Sequence, residues 1–366
     1  MALIMNLVLL LFSLALVRSD QSTVPLRSFK IGENITYDCI DIYKQSGLNH
    51  PLLKNHTIQV GQIGNNKTHE KKRKCPHGTV PVLRNTKEFI INAQLSAKKY
   101  FHLLTADSPG THIAGVRSFN GPYHGVAAWF NGFNLNIEQD QASYSQIYIG
   151  SGLNNEVNFI STGLMGKDGL GCYNTACPRF VQVSQVVPIV EPHDLKPGEL
   201  FYAHPSIHQI SSLFVWYSHV LVAKDKNTGN WWITQLQTDA DIDVPNVDIG
   251  YWPKELFNLF SNGVNMAGVR GVVQASHSGS SPPMGNGKFP GKDEADSAKG
   301  RRDSSIITNV EVFKFNYKPS KIDSIEYLVD SKNCYWLRIG VVKIFHKSEL
   351  GFFFNYGGPG GNSCGV

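Results

Sequence analysis

From Tyr144 to Ile149 the side chains alternate, with Ser145, Ile147 and Ile149 on one face and Tyr144, Gln146 and Tyr148 on the other. A period of two is what a half-buried strand requires and an α-helix cannot satisfy. Gly150 and Gly152 are expected to end this strand. The same reading extends over most of the chain. After the turn-like run Asp107-Ser108-Pro109-Gly110 the composition shifts to aromatic and β-branched residues with frequent glycines, which favours antiparallel strands. Ser212 to Ala223 and Trp231 to Gln235 flank Lys226-Asn227-Thr228-Gly229-Asn230, a hairpin signature. Ile306 to Tyr317, Tyr335 to Phe345 and Gly351 to Tyr356 are further strand candidates. Two stretches read as helical. Lys87 to Leu104 has apolar residues at roughly helical spacing. A short helix is expected to start at Pro253, to use Leu256, Leu259 and Phe260 as its apolar face, and to end at Gly263. The predicted class is all-β: an antiparallel β-sandwich of two sheets with a smaller N-terminal domain.

Composition bears on compartment and partners. Apolar content of 42% and charged content of 17% describe a globular chain, not a disordered one. The net charge of +5 comes partly from one run, Lys71-Lys72-Arg73-Lys74, so no nucleic-acid partner is expected. Met1 to Ser19 reads as a secretory signal: the apolar run Leu7 to Val17 is too short to span a bilayer and is followed by the small residue Ser19. Cleavage is expected before Asp20, and no later stretch is apolar enough to act as a membrane anchor. The expected location is secreted, extracellular or cell wall, and the expected state is a monomer. Six cysteines suit an oxidising compartment, although counting alone allows fifteen pairings. Export would make acceptors of Asn34, Asn55 and Asn66, each followed two residues on by threonine. The same basic run is of a sort that trypsin-like or furin-like proteases cut, and equally of a sort found in flexible loops.

Several motifs carry a resemblance. GCYNTACPRFVQ at 171–182, TGNWWI at 228–233, GYWPKELF at 250–257, SPPMGNGKFP at 281–290 and YGGPGGNSC at 356–364 resemble the neprosin-type plant secreted glutamic peptidases, in that family's order. Upstream, CIDIYKQSGLNHPLLKNHTIQ at 39–59 and KCPHGTVPVLR at 74–84 resemble its activation-peptide region. The resemblance implies a signal at 1–19, an activation-peptide-like domain at 20–105 and a peptidase-like sandwich at 106–366. It also implies the disulfides Cys39–Cys75, Cys172–Cys177 and Cys334–Cys364, no cofactor, and a peptide or proline-rich protein as ligand.

What the resemblance implies about chemistry is two carboxylates. Water attacks an amide poorly, so one carboxylate takes its proton while a second, protonated group stabilises the oxyanion or protonates the leaving nitrogen. Glu156 matches the first family position, although the family's Glu-Ala-Gly-Trp is here Glu156-Val157-Asn158-Phe159. At the second position stands Val272, and no Asp or Glu occurs between Glu255 and Asp293. Only fifteen residues separate Glu156 from Cys172, where the family carries a further aromatic strand. The expectation is therefore a member that keeps the scaffold and has lost the peptidase reaction. The alternatives are an active acid endopeptidase cleaving after proline and an extracellular glycan- or peptide-binding sandwich. A substitute acid from Asp293, Glu294 or Asp296 would have to come from a charged surface loop, which holds a carboxylate too loosely. His204, His208, His219 and His277 form no metal-ligand motif, Gly-x-Ser-x-Gly is absent, and no metal is expected. Trp129, Tyr148, Trp231, Trp232, Tyr251 and Trp252 could stack on sugars or prolines, or fill the sandwich core.

Overall fold

The computed structural model describes residues 24–31, 35–59, 75–84, 109–133, 135–138, 140–154, 156–165, 179–189, 200–201, 218–236, 247–276, 278–291, 305–314, 319–340, 344–345, 348–349 and 352–364. The fold is all-β, with two large antiparallel sheets and a smaller N-terminal sheet. That small sheet runs in the order β1 (Arg27–Ile31), β2 (Ile35–Asp41), β3 (Thr79–Leu83). Its centre is Tyr37, Cys39 and Val80, all buried, and the Cys39–Cys75 disulfide ties β2 to the approach to β3. A five-stranded sheet is built from β4 (Thr111–Ser118), β7 (Ala142–Leu153), β8 (Glu156–Met165), β14 (Met266–Gln274) and β17 (Ile325–Val329), in the order β17-β4-β14-β7-β8.

The larger, nine-stranded sheet runs β18 (Trp336–Ile339), β21 (Phe354–Gly357), β15 (Ile306–Phe313), β5 (Gly125–Phe130), β11 (Ser218–Lys224), β12 (Trp231–Leu236), β13 (Val247–Trp252), β9 (Val181–Gln182), with β16 (Pro319–Lys321) paired to β15. Two small pairs, β6 (Gly132–Phe133) with β10 (Leu200–Phe201) and β19 (Ile344–Phe345) with β20 (Ser348–Glu349), complete the described strands. Alternation places the core. Ala114 and Val116 of β4, Ile147 and Ile149 of β7, and Val269 and Val273 of β14 meet Val126, Ala128 and Phe130 of β5 and Phe354 and Tyr356 of β21 in one buried cluster. Each of the valine, isoleucine and phenylalanine side chains among them contributes about 1.5–3 kcal/mol by leaving water.

The expected hairpin forms between β11 and β12. Asp225 closes its turn by accepting from the Asn227 amide at 2.8 Å, and Gly229 supplies a positive φ of 80°. Two expectations need correction. β7 does not stop at Gly150 and Gly152 but runs through both to Leu153, and the reversal falls at Asn154, with φ 49°. The helix read from Pro253 is a single 3-10 turn, Lys254–Leu256. Beyond it the backbone follows tertiary contacts: the Leu259 amide donates to Asn158 Oδ1 at 2.9 Å, and Phe257 stacks on Phe260. The stretch Lys87 to Leu104 lies outside the described residues. So do Asn34, Asn66 and the Cys172–Cys177 pair, whereas Asn55 lies exposed at a turn. No described helix is long and apolar enough to cross a membrane.

The N-terminal sheet and its following turns lie against the β9 end of the nine-stranded sheet. Gln45 and Gln182, both buried, exchange two bonds: the Gln182 amide donates to Gln45 Oε1 at 2.8 Å, and Gln45 Nε2 donates to the Gln182 carbonyl at 3.1 Å. Gly47 is so close to the Phe180 carbonyl that a Cβ would stand 1.8 Å from the oxygen. Farther along, the Tyr251 hydroxyl accepts from the Gln59 amide at 2.8 Å, and Gln59 Nε2 donates to Asp225 Oδ2 at 2.5 Å.

Candidate functional site

The face of the five-stranded sheet that points away from the core carries the unexpected chemistry. Register assigns its residues: Gly268, Arg270, Val272 and Gln274 on β14 lie beside Tyr148, Gln146, Tyr144 and Ala142 on β7. On the other flank they lie beside Arg117, Gly115, Ile113 and Thr111 on β4. β17 adds Glu326 opposite Arg117 and Leu328 opposite Gly115, and β8 adds Phe159 opposite Gly150.

This surface divides into two halves. In the first, the buried Arg270 guanidinium sits 4.5 Å from the Tyr148 ring centroid and 5.8 Å from that of Phe159, and the two rings stack at 5.4 Å. With its amide oxygen turned toward the guanidinium, Gln146 accepts from Nε at 3.0 Å and Nη2 at 3.1 Å. The strand glycines make this possible. A Cβ on Gly115 would lie 2.3 Å from the Arg270 Cβ, and one on Gly268 would lie 2.4 Å from the Tyr148 ring. Burial lowers the pKa of Arg270 and raises that of Tyr148, each because desolvation disfavours the charged form. At the rim, Arg117 grips Glu326 with two bonds of 2.7 and 3.1 Å.

The other half is apolar. Val272 is 1% exposed and packs with Ile113, Ala142, Tyr144 and Leu328. Beside it, Thr111 Oγ1 donates to Gln274 Oε1 at 2.7 Å. Among the described residues of the five strands, Glu326 is the one acid on this face, and it is exposed and already paired with Arg117.

Glu156 stands elsewhere. It opposes Leu153 at the tip of the β7–β8 hairpin, and it shares the parity of Ile149 and Ile160, the inward face, although it lies exposed beyond the end of the core. Its Oε2 accepts from Asn258 Nδ2 at 3.0 Å. Together with Asn158 it clips the loop after β13 to the hairpin. Val272 opposes Tyr144, nine residues back along β7 and on the opposite face. That is about 30 Å of strand. The expected juxtaposition of Glu156 with residue 272 across a groove is therefore not the geometry observed.

The remaining candidates are distributed as follows. His204, His208, His277, Asp293, Glu294 and Asp296 lie outside the described residues, and His219 lies on β11 opposite Trp129 in register. No cluster of His, Cys, Asp or Glu able to hold a metal occurs among the described residues. Trp231 is buried edge-on against Phe260 in the sandwich core and Trp252 packs against Phe180, while Trp232 and Tyr251 form a separate cluster against Leu48 and Ile58 of the N-terminal unit. Two of the motifs prove to be partners of each other. Met284 and Gly358 exchange backbone bonds of 2.9 and 3.2 Å, Ser281 and Gly361 do the same at 3.2 and 2.9 Å, and Cys334–Cys364 closes the arrangement. Sequence reasoning missed Arg270. Its signal was an arginine inside the apolar run Val269 to Val273, where a charge is seldom buried without dedicated contacts.

Comparison with known proteins places these features. The family described as Neprosin matches residues 166–359, and the one described as Neprosin activation peptide matches residues 29–107. The sandwich begins well upstream of the first match, since β4, β7 and β8 all precede residue 166. A solved structure described as Scytalido-glutamic peptidase with a peptide based transition state analog is similar over 68% of this chain and 99% of that one, at 10% identity and a TM-score of 0.31. That likeness is too distant to transfer any site residue.

Proposed function

Because this chain belongs to the neprosin family, we propose that it is a secreted protein that retains the peptidase scaffold without the peptidase reaction. In this reading a peptide or proline-rich segment binds at the rim of the outward face of the five-stranded sheet, where Arg117, Glu326 and Phe159 reach solvent, above the buried Arg270, Tyr148 and Val272. The observation that carries the proposal is Val272, packed at 1% exposure among apolar neighbours where the resemblance calls for the second acid. Two further observations support it. Among the described residues the face holds Arg117 and Arg270 and one paired carboxylate, Glu326, instead of two acids able to share a proton. Glu156 already serves as a hydrogen-bond clip for Asn258 on the other side of the sheet. Export is supported by the formed Cys39–Cys75 and Cys334–Cys364 disulfides, which an oxidising compartment supplies.

The test is incubation of the purified chain with proline-containing peptides from acid to neutral pH. No cleavage, together with saturable binding that Arg117→Ala or Glu326→Ala weakens, is the expected result. Cleavage that disappears in Glu156→Gln would overturn it.

A further inference from the structure

The two large sheets end unevenly on one side. β17 is the last strand of the five-stranded sheet and pairs only with β4 among the described residues, while β18 is the last of the nine-stranded sheet and pairs only with β21. Register turns Tyr327 and Val329 of β17 inward, opposite Val116 and Ala114. It turns Leu337 and Ile339 of β18 inward as well, opposite Tyr356 and Phe354. Both sets thus face the space between the layers. Yet Tyr327 is 56% exposed, whereas Val116, its neighbour on β4, is fully buried. An inward side chain is left in water because no described strand continues the sheet beyond β17. The result is a slot lined by Tyr327, Val329, Lys332, Trp336, Leu337 and Ile339.

We propose that this slot binds an extended peptide with apolar side chains at alternate positions and a carboxylate near one end. The peptide adds to the outer edge of β17 as a sixth strand. Three features select that occupant. An edge strand offers a row of backbone donors and acceptors, which another extended chain satisfies with its own backbone. The walls are Val329, Leu337 and Ile339, so every second side chain of an added strand enters an apolar space. A sugar stacked on Tyr327 or Trp336, which also line the slot, would leave the β17 edge unused, whereas an extended chain pairs with it. Among the described residues Lys332 is the one charged group lining the slot and makes no ion pair; its ammonium lies 5.9 Å from the centre of the Trp336 ring. That cation fixes where the carboxylate sits and which way the peptide runs. The site is on the inward side of β17, so it is separate from the outward face discussed above and does not depend on that reading.

The experiment uses the full chain and a fluorescently labelled acetyl-Asp-Val-Thr-Val-Thr-Val-amide, with binding followed by polarisation. Saturable binding is expected. N-methylation of one alternate set of peptide nitrogens should abolish it while methylation of the other set leaves it intact, because only one edge of an added strand faces β17. Val329→Lys should weaken binding at least about tenfold, and the surface variant Lys332→Glu should reverse the preference between peptides with Asp and with Lys at the end. The proposal fails if there is no saturable binding, if both N-methylated sets bind alike, if Lys332→Glu changes nothing, or if oligosaccharides compete while unlabelled peptide does not. None of these results bears on the cleavage assay.

Discussion

Glu156 and Val272 lie on opposite faces of the five-stranded sheet, separated by nine residues of β7 in register. Changing one therefore cannot complete a pair with the other. Val272→Glu is expected to yield no peptidase activity. It should destabilise the chain by about 1–3 kcal/mol, because a carboxyl enters the buried cluster of Ile113, Ala142, Tyr144 and Leu328, offset in part by Arg270 two positions away on the same face of β14. Urea denaturation and a peptide-cleavage assay on the same preparation check both halves.

Glu156→Gln keeps an acceptor for Asn258 at an exposed hairpin tip. Its stability should change by less than about 0.5 kcal/mol and its ligand binding not at all. A large loss of binding would show that the tip contacts ligand directly.

Arg270 is held by two aromatic faces and a glutamine. Arg270→Ala removes a long buried stem and leaves a void beside Tyr148, so a loss of about 2–4 kcal/mol is expected. Arg270→Met, which refills much of that volume, should recover most of it. Thermal unfolding of the two variants side by side separates packing from charge.

The junction with the N-terminal sheet depends on Gln45. Gln45→Ala leaves the buried Gln182 amide without its side-chain acceptor, at an expected cost of about 1–3 kcal/mol. Hydrogen exchange at residues 179–189 should accelerate with it.

The same junction responds to acid. Burial pushes the Asp225 carboxyl up, but hydrogen bonds from Gln59, Asn227 and Thr228 outweigh it and hold the carboxyl below the ordinary range. A folded pKa below the unfolded one gives stability that is complete above the unfolded value, near 3.8, and is lost as pH falls through the folded value. Wild type should thus lose stability below about pH 4, and Asp225→Asn should lose less over that window. Denaturation midpoints between neutral and strongly acid pH measure the difference.

Much of this architecture was legible beforehand, and the reason is the period of two. It assigned Ile147 and Ile149 to one face and Tyr144, Gln146 and Tyr148 to the other, and the observed register agrees. The Lys226–Asn230 turn was legible because its residue types favour reversal. Gly150 misled because it is a packing glycine: a Cβ there would stand 2.9 Å from the Met266 terminal carbon. Pro253 misled because the contact between Leu259 and Asn158, a hundred residues apart in sequence, shapes the loop that follows. The position of Glu156 depended on where the hairpin reverses, which local propensity leaves open by a residue or two, enough to move a side chain to the other face.

The cystine between Cys39 and Cys75 spans the basic run at 71–74, and β3 lies on the far side of it. A protease acting at Lys71 to Lys74 would therefore open a ring without shedding a fragment: the piece upstream stays covalently bound through sulfur and paired as β2 with β3. Release of β1 and β2 after such a nick needs a reductant as well, whereas a cut beyond Arg84 severs the whole sheet without one. A cut confined to the basic run thus leaves the upstream piece attached for as long as the cystine stays oxidised.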